Sequence, residues 1–318
     1  MDGVPTSVQV SNLPVPRTGR ADVHLHTDEV DGLQSVRDLL DYAETQTNLD
    51  LVAITDHDAI RGALRAQEIV AHEGLRVQVI AGTEVTTRHG HVLALFVDRA
   101  FPMLKSIDAT LAAIHEAGGI AIVPHPMSWL TTSIGERNLR RIHALGDAGR
   151  DSGVYFDAVE MLNPSVAGRV ACRRARDLNQ TVLNLPVMAG SDAHATSMIG
   201  TAYTTFPGTT PHDLRAAFAR HQTRAHGRFW TFGEHRAIAS ESLYRAWVLV
   251  PARKVREIAG RGQKRETRWE EARNQKPEDG SQKPEAGGQR LDAESSHLAS
   301  GFRLLASFPS PNPAGGDE

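Results

Sequence analysis

Seven short apolar runs alternate with segments of helical periodicity, and this alternation limits the folds open to the chain. The runs predict buried strands over residues 21–26, 51–55, 77–81, 92–97, 120–123, 158–162 and 187–189. Most intervals carry a helical pattern, and a final helix is predicted over residues 211–221 with Thr210 as its N-cap. Strands that alternate with helices across short connections form parallel sheets. Over this length, a closed α/β barrel is favoured over an open sheet.

The chain divides into four predicted segments. Residues 1–20 contain three prolines and predict a flexible leader, and the barrel is expected over residues 21–230. Residues 231–260 predict a helical extension. Residues 261–318 are rich in Gly, Pro, Glu, Lys and Gln, a composition that cannot bury enough apolar surface to offset chain entropy, so a disordered tail is expected. A solvated tail is the simpler interpretation, although a partner could dock weakly on Phe302, Leu304, Leu305 and Phe308.

Composition argues against several classes of protein. The 318 residues carry a formal net charge of −3, so no extended nucleic-acid binding surface is expected. Cys172 is the single cysteine, which excludes a disulfide scaffold and a cysteine-rich zinc module. No apolar run approaches the roughly 20 residues of a membrane helix, and the N-terminal segment lacks a secretory pattern. We therefore expect a cytoplasmic protein with no membrane contact.

Histidine and acidic residues cluster where the predicted strands end. Ten of the 15 histidines lie between His24 and His194, and the clusters read DVHLHT, TDHD, GTE with GH shortly after it, PHP and GSDAH. In a parallel barrel the carboxyl ends of all strands open onto one face, so these groups are expected to converge. Imidazole and carboxylate groups buried at that density are costly without a compensating cation. The pattern predicts a metal site.

Taken in order, these motifs resemble those of the PHP (polymerase and histidinol phosphatase) superfamily of metal-dependent hydrolases, over about residues 21–230. The match is to the short, stand-alone phosphoesterase form, because no polymerase domain follows. The resemblance implies an α/β fold, a distorted (β/α)7 barrel, that holds two or three divalent metal ions. A mixture of imidazole and carboxylate ligands suits Mn²⁺, Zn²⁺ or Fe²⁺ better than Mg²⁺ or Ca²⁺.

The resemblance also implies nine metal ligands in three sites: His24, His26 and Asp192 with Glu84 as a bridge, His91 and His125 beside the same bridge, and Asp31, His57 and His194. His89 is the alternative to His91, which is preferred because it directly precedes the apolar run of residues 92–96. Asp22 and Asp56 adjoin ligand histidines, so we expect them to fix histidine tautomers.

The implied mechanism is attack on phosphorus by a hydroxide that bridges two metals. The catalytic residues would be Glu84, His57, Asp192 and His194, with His57 or His194 as the acid that protonates the leaving oxygen. Glu160 and Asn163 end a predicted strand and are assigned to substrate contact or to support of the ligands. Arg137 and Arg169 are candidate phosphate contacts, although most arginines on these helices are expected to be solvated.

The favoured function is a phosphoesterase that acts on a small phosphorylated substrate, a nucleotide or an oligonucleotide end. One alternative is amide or carbamate hydrolysis, because GTEVTT and the following Gly90-His91 resemble the carbaryl-hydrolase-type branch of the superfamily. The other alternative is a metal-binding scaffold without catalysis, whose tail recruits a partner.

Overall fold

The computed structural model describes residues 17–236, and this range contains nine strands, seven complete α-helices and a further helical stretch over residues 232–236. The strands are β1 (Thr18–Leu25), β2 (Leu51–Ile54), β3 (Gln78–Thr87), β4 (Gly90–Leu95), β5 (Ile120–Val123), β6 (Ala158–Leu162), β7 (Val187–Ala189), β8 (Ala202–Pro207) and β9 (Arg224–Gly227). The helices are α1 (Val36–Gln46), α2 (Arg61–Glu73), α3 (Ile107–Glu116), α4 (Glu136–His143), α5 (Gly146–Asp151), α6 (Val166–Leu178) and α7 (Pro211–Ala219). A π-helical turn, Asn179–Leu183, prolongs α6, and a 3-10 turn, Thr196–Met198, precedes β8.

The strands form one sheet in the order β7-β6-β5-β4-β3-β2-β1-β8-β9. The strands β1 to β3 are parallel, as are β5 to β7, whereas β4 runs antiparallel to both of its neighbours. The segment that follows β7 lies beside the end of β1, where the amide of His26 donates to the carbonyl of Ala193 at 3.1 Å. The Thr204 hydroxyl lies 2.9 Å from both the amide and the carbonyl of Ala189, which joins β8 to β7. The sheet is therefore a nearly closed barrel, as predicted.

Each predicted strand is present, but three expectations need correction. The first strand begins at Thr18, so residues 18–20 do not belong to a leader. The strands β8 and β9 were not predicted. The sheet is mixed rather than parallel, because only Arg88 and His89 separate β3 from β4. So short a connection makes an antiparallel hairpin, whereas parallel neighbours need a long crossover.

The barrel core follows from strand alternation. Along β2, Leu51 and Ala53 pack in one apolar cluster with residues of the neighbouring strands, whereas Val52 and Ile54 pack in another with α1 and α2. Successive strand side chains point to opposite faces, so a strand covered on both sides reads as a continuous apolar run. This is why the runs were recognisable in the sequence.

The helices cover the outside of the sheet by their apolar stripes. In α1 the buried residues are Val36, Leu39, Leu40 and Ala43, the spacing of one helical face. Thr210 caps α7 as predicted, since its side chain accepts from the amide of Asp213. No helix in residues 17–236 is long and apolar enough to cross a membrane. Residues 1–16 of the predicted leader, the helical extension beyond residue 236 and the tail lie outside the described residues.

Candidate metal centre

The end of β1 brings two buried histidines to the carboxyl face of the barrel. His24 Nδ1 lies 3.0 Å from the carboxylate of Glu160, which leaves Nε2 facing Glu84 Oε2 at 3.2 Å and Asp192 Oδ1 at 3.5 Å. His26 Nε2 lies 3.2 Å from the same Asp192 oxygen and 3.4 Å from the same Glu84 oxygen. Two imidazoles and two carboxylates therefore converge on one point, in the grouping that the resemblance implied for the first metal.

Glu84 divides its two oxygens between two sets of histidines. While Oε2 faces His24 and His26, Oε1 lies 2.9 Å from His91 Nδ1 and 3.0 Å from His125 Nε2. A carboxylate placed in this way is able to bridge two cations. His57 Nδ1 also lies 3.5 Å from Glu84 Oε2.

The reversal at the β3–β4 hairpin explains how His91 reaches this face. His91 lies directly opposite Thr86 in the antiparallel register, and Thr86 is two residues from Glu84 on the same strand. Residues two apart on a strand share a face, so His91 and Glu84 are diagonal neighbours. Because β4 runs in the opposite direction, its first residues, not its last, lie beside the carboxyl ends of the parallel strands. The alternative ligand, His89, is an exposed hairpin residue.

The third group lies nearer to solvent. Asp31 Oδ2 lies 3.2 Å from His194 Nε2 and 3.5 Å from His57 Nε2. The side chains of His57 and His194 are 26% and 27% exposed, whereas that of Glu84 is 1% exposed. The centre thus has a buried part around Glu84 and an open edge at His57 and His194, which solvent reaches. A substrate would enter from this open edge.

These side chains fit divalent cations by an independent criterion. Both ring nitrogens of His26 and Nδ1 of His91 are buried without a hydrogen-bond partner, although carboxylate oxygens lie within 3.5 Å of each. Two ligand atoms about 2.1 Å from one cation lie about 3.0 to 3.4 Å apart. Across residues 17–236, the groups of side chains close enough to share a cation consist of the nine residues inferred from the motifs.

The comparisons with known proteins agree with this geometry. The family model described as PHP-associated matches residues 170–223. An uncharacterized protein of Methanocaldococcus jannaschii is 33% identical over 129 residues, which cover 37% of this chain and 74% of that protein. The chain belongs to the PHP family. The resemblance to the PHP family is thereby confirmed, and the clustered His, Glu and Asp side chains are ones that could hold divalent metal ions.

Two further relatives bear on fold and function. A solved two-domain protein of Bacteroides vulgatus, containing a predicted PHP-like metal-dependent phosphoesterase, superposes with a TM-score of 0.53. It is 20% identical in sequence, and the match covers 72% of this chain and 70% of that chain. The 5'-3' exoribonuclease Rnm of Salmonella typhimurium is 30% identical over 102 residues, or 31% of this chain. The chain spans only about a third of the length of that enzyme, since the match covers 34% of it.

The histidines and carboxylates of the PHP centre shift one another's pKa values. Burial alone would lower the pKa of His24, but the carboxylates of Asp192, Glu160 and Glu84 raise it well above its ordinary value. Burial by itself raises the pKa of Glu84, yet the surrounding histidines hold it well below its usual range. Without a cation His24 therefore binds a proton more readily than an ordinary histidine, and metal binding must release that proton.

Glu160 and Asn163 hydrogen-bond the metal-binding residues, which is one of the two roles expected for them, and their contact with substrate stays a prediction. The Glu160 side chain is fully buried, and its Oε2 accepts the amide of His125 at 2.7 Å and the side-chain amide of Asn163 at 3.0 Å. Asn163 Nδ2 also lies 3.1 Å from Asp192 Oδ2. A Cβ atom on Gly190 would lie 2.5 Å from the His24 Cβ, so only glycine allows this close packing.

The structure also corrects the expected partners of the histidines. The carboxylate of Asp22 accepts the amides of Ser191 at 2.9 Å and Gly200 at 2.8 Å. Asp56 accepts the amide of Thr27 at 2.6 Å and its hydroxyl at 2.7 Å. Both carboxylates therefore position loops that carry ligands, and neither was found to bond a ligand histidine.

Ser133 is a supporting residue that the sequence did not indicate. Its Oγ lies 2.9 Å from His125 Nδ1, so the other ring nitrogen is left to face Glu84. A serine in an irregular loop carries no periodic or motif signal, and only the folded loop brings it to the histidine. Arg137 and Arg169 are exposed in the first turns of α4 and α6, and the Arg169 guanidinium lies 5.4 Å from the Phe229 ring centre. Their contact with phosphate stays a prediction.

Proposed function

We propose that the protein hydrolyses phosphate esters of nucleotides or oligonucleotide ends, using two or three divalent cations held by eight of the nine residues of the centre, with His194 reserved for proton transfer. The observation that carries this proposal is the division of the Glu84 oxygens between two sets of histidines. A single structural cation would need only one of these sets. Two adjacent cations are the arrangement that many phosphate-ester hydrolases use.

The donor atoms favour Mn²⁺, Zn²⁺ or Fe²⁺, because imidazoles outnumber carboxylates in every group of side chains close enough to share a cation. When bound, the cations would activate water and neutralise charge on the phosphoryl group. His24, His26 and Asp192 would hold the first, His91 and His125 the second, and Glu84 would be shared.

The residues of the open edge would handle protons and the leaving group. His194 Nδ1 lies 2.9 Å from the carbonyl of Asp192 and must donate to it, which leaves Nε2 directed toward Asp31. His57 has both ring nitrogens within 3.5 Å of carboxylates, so it is more fully committed to ligation. We therefore assign proton transfer to the leaving oxygen to His194, and third-site ligation to His57 and Asp31.

A nucleotide or nucleic-acid end is favoured as substrate by two features. The Salmonella typhimurium relative, which is 30% identical over 31% of this chain, is a 5'-3' exoribonuclease. The net charge of −3 disfavours binding along a long nucleic acid, whereas an end needs only a few cationic contacts. Arg137 and Arg169 are the arginines to which we assign these contacts.

The test is a hydrolysis screen with Mn²⁺, Zn²⁺ and Fe²⁺ over mononucleotides, short RNA and DNA, and a naphthyl carbamate. Activity is expected on phosphate esters, and activity on the carbamate alone would overturn the proposal. Glu84→Gln should abolish turnover and release metal, because both cation sites lose their shared anionic ligand. Glu68→Gln makes the same chemical change at an exposed position of α2 and should alter neither.

A further inference from the structure

The loop between His125 and α4 is built against the metal centre. We call residues 126–134 the rim loop. The amide of His91 donates to the carbonyl of Thr132 at 3.1 Å, and Ser133 Oγ lies 2.9 Å from His125 Nδ1. The amide of Met127 donates to the carbonyl of Ile134 at 3.0 Å and closes the base of the loop. The loop is therefore tied to two ligand histidines.

Gly90 makes this attachment tight. Its φ is +136°, and a Cβ atom there would lie 2.3 Å from the amide nitrogen of Ile134. The returning end of the rim loop thus packs directly on the backbone that precedes His91. The base of the rim loop is therefore held against the strand that carries His91.

The tip of the rim loop carries an unusually exposed tryptophan. Trp129 is 76% exposed in the described structure, and the adjacent Leu130 is 46% exposed. Large aromatic side chains are well buried on average, whereas Trp129 stands exposed beside Leu130 on a loop that is tied to two ligand histidines. Trp129 is four residues from His125, so its Cα lies within about 14 Å of that ligand even for an extended chain.

We propose that Trp129 is the stacking platform for a nucleobase next to the phosphate held at the metal centre. This inference rests on the proposed function and narrows its substrate to the end of a single-stranded oligonucleotide. Every base offers a π-face to an aromatic ring, so stacking selects for nucleic acid without selecting a sequence. Arg137, exposed just beyond the loop in α4, supplies the cation that usually accompanies such platforms along the phosphate chain.

A protein partner fits this surface less well than a base does. Protein interfaces bury an extended apolar core of many residues, whereas the direct neighbours of Trp129 and Leu130 in the loop are polar: Ser128 before them and Thr131, Thr132 and Ser133 after them. A base needs only one ring face and polar neighbours that tolerate a sugar and a phosphate. The occupant that the observations favour is therefore a nucleobase.

The test compares two oligonucleotides in the metal-loaded, full-length protein. One is a short single strand, and the other is identical except that its two terminal bases are absent. Stacking on an aromatic residue contributes enough that kcat/KM of the wild type should favour the intact strand by about 5- to 150-fold. This ratio should fall to about 1 in Trp129→Leu, which keeps apolar area but removes the ring. Trp129→Phe should retain most of it.

Leu130→Ala is the matched control, because it changes the neighbouring exposed side chain without touching a ring, and it should keep the wild-type ratio. A ratio in Trp129→Leu equal to that of the wild type would overturn the platform, as would a wild-type ratio near 1. Hydrolysis of small phosphate esters without hydrolysis of either strand would overturn it too, while leaving the phosphoesterase proposal intact. Absence of hydrolysis of any phosphate ester would instead mark the failure of the proposed function.

Discussion

Replacing Glu160 by glutamine should weaken metal binding without removing a metal ligand. Three donors converge on the two oxygens of this buried carboxylate: His24 Nδ1 at 3.0 Å, the His125 amide at 2.7 Å and Asn163 Nδ2 at 3.0 Å. Glutamine offers one oxygen and one NH₂ group in the same volume. One of the carboxylate positions must therefore present a donor to a donor.

The conflict has two possible resolutions, and each has a measurable consequence. If the NH₂ group faces His24, two donors meet at Nδ1. This contact becomes favourable only when the imidazole proton moves from Nδ1 to Nε2, the nitrogen that faces Glu84 and Asp192. A protonated Nε2 cannot bind a cation. If the NH₂ group instead faces His125 and Asn163, two buried donors lose their acceptor, at about 1–3 kcal/mol for each unsatisfied group.

We expect Glu160→Gln to lower metal affinity about 10- to 100-fold, the usual effect of removing the partner of a ligand histidine. This corresponds to about 1.4 to 2.8 kcal/mol of binding free energy. Competition with a chelator measures the affinity, and nitrogen chemical shifts report the His24 tautomer. Glu68→Gln is the exposed control. Unchanged affinity together with an unchanged tautomer would refute the reasoning, because it would mean that Glu160 does not orient His24.

Three further predictions follow from contacts outside the ligand set. Ser133→Ala should lower metal affinity by at most about 10-fold, since His125 loses one neutral partner, and equal affinities in a chelator competition would contradict this. Gly90→Ala should lower thermal stability and displace the rim loop, because its Cβ has no space at a φ of +136°. His115→Gln should leave metal content unchanged but lower the free energy of unfolding in acid. Both nitrogens of His115 face acceptors, Asp157 at 2.9 Å and a carbonyl at 2.7 Å. Burial lowers the pKa of His115, but the hydrogen bond to Asp157 raises it above its ordinary value. Protonated His115 therefore stabilises the folded state fully below pH about 6.5, and this contribution is lost as pH rises through the folded-state pKa. Urea unfolding of the wild type and of His115→Gln across pH measures the difference in their free energies of unfolding, and this difference should not grow with pH.

The sequence was informative about strands and ligands for the same physical reason. Strands buried on both faces read as apolar runs, and residues at their carboxyl ends converge whatever the lengths of the helices between them. His24, Glu84 and Asp192 could therefore be assigned to one site although more than 100 residues separate the first from the last. The strand β8 was missed despite its alternating burial, since Ala202, Thr204 and Phe206 face inward. That alternation was a usable signal.

Other features depended on the tertiary structure, because they are set by distances between loops. The antiparallel direction of β4 places His91 beside Glu84. No local sequence pattern specifies that the first residues of β4 lie at the carboxyl ends of the parallel strands. The partner of each histidine was likewise decided in space: Glu160 reaches His24 from another strand end and Ser133 reaches His125 across a loop, whereas Asp22, next in sequence to the motif, turns to backbone amides. Sequence determined which side chains could bind metal, since ligand chemistry belongs to the residue. Only the fold decided how they are oriented, since a hydrogen bond depends on positions that the whole barrel must set.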